Sequence, residues 1–255
     1  MDILHALILG LVEGITEFLP ISSTGHLILA GKLFSIPDTN FQKSFDIIIQ
    51  FGAILSVVAL YWKTLWNIET IKKLIVAFVP TGIIGLALYK VVKMYLLGNE
   101  YVVLWALFLG GIVLIIFELW HKEPEGAESG IAAISYKQAF AIGLFQSLAI
   151  IPGISRSAST IIGGLLLGLK RTTIVEFSFL LAVPTMLAAS GLDLIQNGSA
   201  FSLNQFSVLA TGFIVSFGVA LLSIKSLLAY VRKHNFIAFG AYRIVIAALF
   251  FFIIL

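Results

Sequence analysis

Residues 13–26 read EGITEFLPISSTGH, which puts Glu13, Glu17, the hydroxyls of Ser22, Ser23 and Thr24, and His26 into one short run. A second run, PGISRSAST at 152–160, sets Arg156 among Ser155, Ser157 and Thr160. Glu13 and Glu17 are four residues apart and share a helix face, where like charges repel by roughly 0.2–0.5 kcal/mol even when hydrated. Where water is scarce, such a pair must shift its pKa, bind a cation or face an arginine. Pro20 lacks an N–H and ends the first helix. Ser22, Ser23 and Thr24 then open a second short helix, where hydroxyl side chains cap well. The free N–H groups and positive dipole end of a helix start suit phosphate. His26 is the side chain best matched to proton transfer near neutral pH. The fork of Arg156 fits carboxylate and phosphate oxygens. Singly, each residue has an ordinary role: Ser22 a cap, His26 an interfacial histidine, Arg156 an ion pair with Glu13 or Glu17. That ion pair would still bring the two runs together.

The elements that must position these groups are apolar. Of 255 residues, 60% are hydrophobic and 11% are charged, and mean hydropathy is +1.06. A soluble domain is nearer half apolar and about a quarter charged. The chain therefore reads as an all-α polytopic membrane protein, a single membrane domain over 1–255. Polar residues inside such segments are functional-site hypotheses by default. The net charge of +3 is not a nucleic-acid footprint; cytoplasmic loops of membrane proteins carry an excess of Lys and Arg. No cysteine is present, which excludes disulfides and thiolate chemistry. The start, MDILHALILG, lacks the basic residues of a cleaved signal peptide.

A spanning helix needs about 20 mostly apolar residues. Six stretches qualify: 46–62, 74–95, 101–120, 174–195, 206–230 and 236–255. Regions 3–34 and 138–169 are broken by the two polar runs into pieces too short to cross. Irregular backbone at membrane depth survives only inside protein or along a watery cavity. Both regions are thus expected to be re-entrant helix hairpins; two kinked spans are the ordinary alternative.

The hairpins resemble each other. At an offset of 133, residues 8–24 lie against 141–157, with Gly10 on Gly143, Glu13 on Gln146, Ser22 on Ser155 and Thr24 on Ser157. Three spans follow each hairpin, opened by Phe45 and Phe177. The expectation is an inverted-topology repeat with halves at about 1–122 and 123–255, its site near the midplane. With six spans, one side holds Lys63, Lys72, Lys73, Lys122, Lys137, Lys170, Arg171, Lys225, Arg232 and Lys233, and the other holds Lys32, Lys43, Lys90 and Lys93. The richer side is cytoplasmic. Both termini and the mouth of the first hairpin then face outward, and the second hairpin enters from the cytoplasm. Glu118, Glu123, Glu125 and Glu128 are assigned to a solvated linker between the halves. Arg243 is expected to snorkel or to pair within the last span.

EGITEFLPISSTGH and PGISRSAST resemble the two signature motifs of the bacterial undecaprenyl-pyrophosphate phosphatases, the bacitracin-resistance family. The likeness extends to FSFLLAVPTMLA at 177–188 and covers nearly the whole chain. It implies hydrolysis of undecaprenyl pyrophosphate to the monophosphate carrier lipid of peptidoglycan synthesis, with a site opening to the outer face of the bacterial plasma membrane. It also implies a divalent cation, Mg2+ or Ca2+. By that resemblance Arg156 clamps the diphosphate, and Glu13 and Glu17 hold the metal or Glu17 acts as base. Ser23 is nucleophile or phosphate ligand, and His26 is nucleophile or proton shuttle. Ser22, Thr24, Ser155, Ser157 and Thr160 would support the substrate. The partners implied are a polyprenyl diphosphate lipid and membrane lipid, with no nucleic acid; a homodimer is admitted.

Two other readings compete. SSTGH and SRS superficially resemble type 2 phosphatidic-acid phosphatases, but that class has a histidine six residues after the arginine, and here residue 162 is Ile. Opposed re-entrant hairpins are also transporter architecture, so the same residues could bind a phosphorylated polyprenyl lipid for flipping.

Overall fold

The computed structural model describes residues 1–37, 39–96, 99–124, 129–197 and 205–254. Helix α1 (Ile3–Thr16) and α2 (Ser23–Leu33) form a first pair of short helices. Three long helices follow: α3 (Asn40–Leu65), α4 (Ile68–Val91), which loosens into a π turn at Val92–Leu96, and α5 (Glu100–Trp120). The second set is α6 (Tyr136–Gln146), α7 (Arg156–Leu166), α8 (Arg171–Asn197), α9 (Phe206–Val231) and α10 (Ile237–Ile254). Among the described residues there is no strand.

Among the described residues five helices are long and apolar enough to cross a membrane: Phe41–Leu65, Ile68–Val91, Glu100–Trp120, Arg171–Gly191 and Phe206–Val231. They cover the first five expected spans. The sixth, 236–255, corresponds to α10, whose apolar part Ile237–Phe252 is shorter; Leu255 lies outside the described residues. Regions 3–34 and 138–169 are each two short helices around a turn.

Local chemistry starts both pairs in the same way. Asp2 caps α1 through the His5 N–H, and Ser135 caps α6 through the Gln138 N–H, each completing a reciprocal capping box. Asp2 and Ser135 are again 133 apart. The inner helices α2 and α7 are capped by Ser22 and Ser155, whose hydroxyls accept from Gly25 N at 3.4 Å and Ala158 N at 3.2 Å.

The packing crosses between the halves. Helix α1 lies on α9, and α6 lies on α4; α3 meets both α8 and α9, and α5 meets α10. In lipid such contacts depend on close van der Waals approach rather than on expulsion of water, which favours small residues. Gly10 serves this on α1: a Cβ there would stand 2.8 Å from the Gly212 carbonyl oxygen of α9. Gly143 does the same on α6, where a Cβ would collide with the Ala77 carbonyl of α4. Phe18 of the first hairpin seats edge-on against Phe179 of α8, with centroids 5.4 Å apart.

Two expectations are corrected. Glu118 is not in a solvated linker: α5 continues past it, and its buried carboxylate accepts from Arg171 Nη2 at 2.8 Å and from Phe236 N at 3.2 Å. Glu123 also pairs with Arg171, at 3.5 Å; Glu125 and Glu128 lie outside the described residues. Arg243 neither snorkels nor pairs within its own span. It is fully buried and, among the described residues, donates to backbone carbonyls outside its own helix.

Candidate active site

Glu17 is the C-terminal cap of α1, and Pro20 stops the helix just beyond it. Its carboxylate is buried and accepts from two elements. Ser23, the first residue of α2, donates its Oγ–H to Oε2 in a short hydrogen bond. Arg156, the first residue of α7, donates from Nη2 to Oε1 at 3.2 Å. Thus the ion pair forms with Glu17, not Glu13, and it joins the two halves of the chain. Arg156 is oriented from behind by Nη1 donating to the Ser178 carbonyl of α8 at 2.8 Å. Its Nε is buried without an acceptor.

Glu13 lies one turn earlier on the same face. It is 0% exposed, and neither carboxylate oxygen has a hydrogen-bond donor. A buried carboxylate left so is out of balance unless a proton or a cation completes it. The charges acting on it come from Glu17, Asp46 and Arg156. Among the described residues no three His, Asp or Glu side chains are grouped for a metal. Two carboxylates and substrate oxygens suit magnesium, which is commonly held by one or two carboxylates together with phosphate and water. The donor set therefore fits a divalent cation at Glu13 and Glu17.

His26 sits in the first turn of α2, but both ring nitrogens are engaged away from Glu17. Nδ1 bonds the Ser22 carbonyl at 2.8 Å, and Nε2 bonds the Tyr242 hydroxyl of α10 at 2.9 Å. The His26 and Tyr242 rings also stack at 5.5 Å.

The remaining expected ligands are largely taken up by the scaffold. Ser22 and Ser155 are the N-caps, and both hold left-handed backbones, φ +70° and +80°. For a residue other than Gly that costs about 1–3 kcal/mol and persists only where surroundings impose it, commonly at functional sites. Ser157 donates to the Leu19 carbonyl at 2.9 Å and ties the second turn to the first. Thr160 lies 2.7 Å from the Ser178 hydroxyl and donates to the Arg156 carbonyl at 3.1 Å. Thr24 alone of the five is exposed.

Ser178, Tyr242 and Arg243 were missed as site neighbours. Arg243 carried the signal that singled out Arg156, a cation inside an apolar span. Ser178 and Tyr242 carried none, because their roles depend on which helices α8 and α10 adjoin.

The family model for Bacitracin resistance protein BacA matches residues 6–249. An undecaprenyl-diphosphatase of Sulfurihydrogenibium sp. (strain YO3AOP1) is 50% identical over 251 residues, 98% of this chain and 99% of that one. A protein of the same name from Persephonella marina is 50% identical over 256 residues, the full length of both. One from Aquifex aeolicus is 51% identical over 243 residues, 95% of this chain and 94% of the other.

Proposed function

This chain belongs to the Bacitracin resistance protein BacA family, and on that footing we infer that it is a membrane hydrolase converting undecaprenyl diphosphate to undecaprenyl phosphate and inorganic phosphate. Bacitracin resistance accords with the family name. Recycling of the carrier lipid for peptidoglycan synthesis follows from the product. The observation that carries the mechanism is Glu17, with the Ser23 hydroxyl on one oxygen and Arg156 on the other.

A serine held by a buried carboxylate is a nucleophile with its base already in place. Ser23 Oγ attacks the terminal phosphorus while Glu17 Oε2 takes its proton, and the bond to the bridging oxygen breaks, releasing undecaprenyl phosphate. Glu17 gives that proton to the departing phosphate; water then attacks phosphoserine, Glu17 takes a proton from it, and the Oγ–P bond breaks with that proton returning to Ser23 Oγ as inorganic phosphate is released. Arg156 stabilises the charge that builds on the transferring oxygens, and the free N–H groups at the start of α2 face the same anion. His26 has both nitrogens occupied, which favours the proton shuttle over the nucleophile. A divalent cation at Glu13 and Glu17 would neutralise diphosphate oxygens and polarise the phosphorus. Ser22, Ser155, Ser157 and Thr160 shape the two turns, and Thr24 is left to meet the substrate.

The topology belongs to the same proposal: six spans and two opposed hairpins in an inverted repeat, in the bacterial plasma membrane, with the site open to the outer face, as a monomer or homodimer. Contacts between segments expected on one side support it. At the outer end Lys32 bridges Glu100 at 2.7 Å. At the cytoplasmic end Tyr136 bonds Glu69 at 2.7 Å and Lys170 bonds Ser129 at 3.1 Å. The exchange of α1 onto α9 and α6 onto α4 is what two halves of opposite orientation would make. Ser35→Cys and Ser129→Cys should react with an impermeant thiol reagent from opposite sides; labelling from one side would refute the topology.

The decisive assay is purified protein in detergent, given undecaprenyl diphosphate and magnesium. Phosphate should appear and should stop in excess chelator. Transport needs a sealed membrane and hydrolysis does not, so a protein silent here but moving the lipid in vesicles would be a flippase instead.

A further inference from the structure

Arg243 lies two turns into α10, is 0% exposed, and is paired with no carboxylate among the described residues. Its guanidinium instead serves backbone oxygens. Nη1 donates to Pro20 O at 3.4 Å and Ile154 O at 2.9 Å. Nη2 donates to Gly153 O at 3.0 Å and Ala106 O at 2.9 Å, and Nε to Leu107 O at 3.3 Å. Pro20 and Gly153 are equivalent positions of the two hairpins at the repeat offset of 133. One side chain therefore takes the same carbonyl from each turn.

Those carbonyls stand two residues before Ser22 and Ser155, the pair with left-handed backbones. A turn bent in that way directs its carbonyls out of any helix, and at membrane depth no water replaces the lost partners. The planar fork of arginine has five N–H donors at fixed angles and can serve several oxygens at once. The surroundings make room for it: a Cβ at Gly110 of α5 would land on the guanidinium.

We propose that Arg243 is the clamp that holds the two turns in register. It is a positioning residue that acts through Pro20 and Gly153 to set where Ser23 and Arg156 meet Glu17. The clamp rests on the site assigned above. It differs from that assignment in making the last helix, remote in sequence from both motifs, a determinant of their geometry.

The test combines kinetics with a distance. The chain has no cysteine, so nitroxides at Leu33→Cys and Leu166→Cys, exposed positions at the far ends of α2 and α7, report the hairpin separation by pulsed electron resonance. Arg243→Met keeps length but removes every donor. It should lower kcat at least a hundredfold with little change in KM, and should broaden or shift the distance distribution. Arg243→Lys, with three donors and no fork, should fall between Met and wild type in both readouts. Gly110→Ala displaces the guanidinium without touching its charge and should broaden the distribution with about a tenfold loss of kcat. Unchanged distances in Arg243→Met would overturn the clamp, whatever happens to activity. If Arg243→Met does not fold, an unchanged distribution in Gly110→Ala would overturn it equally. A wild type that releases no phosphate would sink the diphosphatase reading alone, because the distances still decide the clamp.

Discussion

The two hairpin turns have the same backbone and different chemistry. Each begins with a capping box, breaks at Pro or Pro-Gly, holds a serine at positive φ, and starts a second helix from that serine. At the first residue of that second helix the first hairpin has Ser23 and the second has Arg156, equivalent positions at the same offset of 133. Both reach Glu17, one at each carboxylate oxygen. The equivalent of Glu17 in the second hairpin is Ile150, and the equivalent of Glu13 is Gln146. Gln146 is buried like Glu13, but its amide nitrogen donates to the Thr81 and Thr185 hydroxyls at 2.9 and 3.1 Å. Gln146 thus has its amide nitrogen satisfied and only its uncharged Oε1 left without a donor, whereas Glu13 has no donor on either carboxylate oxygen. The two turns thus repeat one way of presenting a helix start, and the sequence puts the acidic residues in one copy and the arginine in the other. A diphosphate needs both signs of charge at one point, which a symmetric pair of turns would not supply.

The largest effect should come from breaking the junction itself. Glu17→Gln removes the base and weakens the hold on Ser23 and Arg156, and Arg156→Lys keeps charge but loses the fork. Each should cost about 10²–10³ in kcat/KM, read as phosphate release from protein that still elutes as a single gel-filtration species. Wild-type rates for Arg156→Lys would show that the second hairpin contributes structure and not chemistry.

Exchanging the inner pair sharpens the contrast. Glu13→Gln gives the first hairpin the residue of the second, and the magnesium needed for half-maximal activity should rise roughly tenfold or more. Gln146→Glu is the reverse change; it buries a carboxylate beside two threonines and should destabilise by about 1–3 kcal/mol with no gain in activity. Magnesium titrations and thermal unfolding of both variants would settle this, and an unchanged magnesium requirement for Glu13→Gln would remove Glu13 from the metal site.

The smallest effects should be equal. Ser22→Ala and Ser155→Ala each delete one cap and should each lower stability by about 1 kcal/mol, measured by thermal unfolding. A much larger loss at one serine would mean that the two turns do not share one construction.

Much of this was legible in residue order. Apolar length marked the spans, because a helix must satisfy its own backbone across lipid. The interruptions at 13–26 and 152–157 marked the hairpins, since Pro20 and Pro152 stop a helix wherever it lies. Glu13, Glu17, Ser23 and Arg156 stood out because ionisable and hydrogen-bonding groups are rare in such surroundings. Glu118 was misread for the converse reason: near a span end a carboxylate reads as solvated, and only the approach of Arg171 and Phe236 made it a buried acceptor.

By itself, then, the sequence determined the class of fold, the two broken segments, their internal likeness and the residue types available for phosphate chemistry, all of which are set by local rules of helix length, capping and charge. Tertiary structure alone decided which partners met: Arg156 with Glu17 rather than Glu13, His26 with Tyr242, and Arg243 with both turns at once. The physical reason is that these bonds join residues 90 to 223 positions apart. Which donor reaches which oxygen depends on helix crossings permitted by small residues such as Gly10, Gly110 and Gly143, and no periodicity in the chain encodes that.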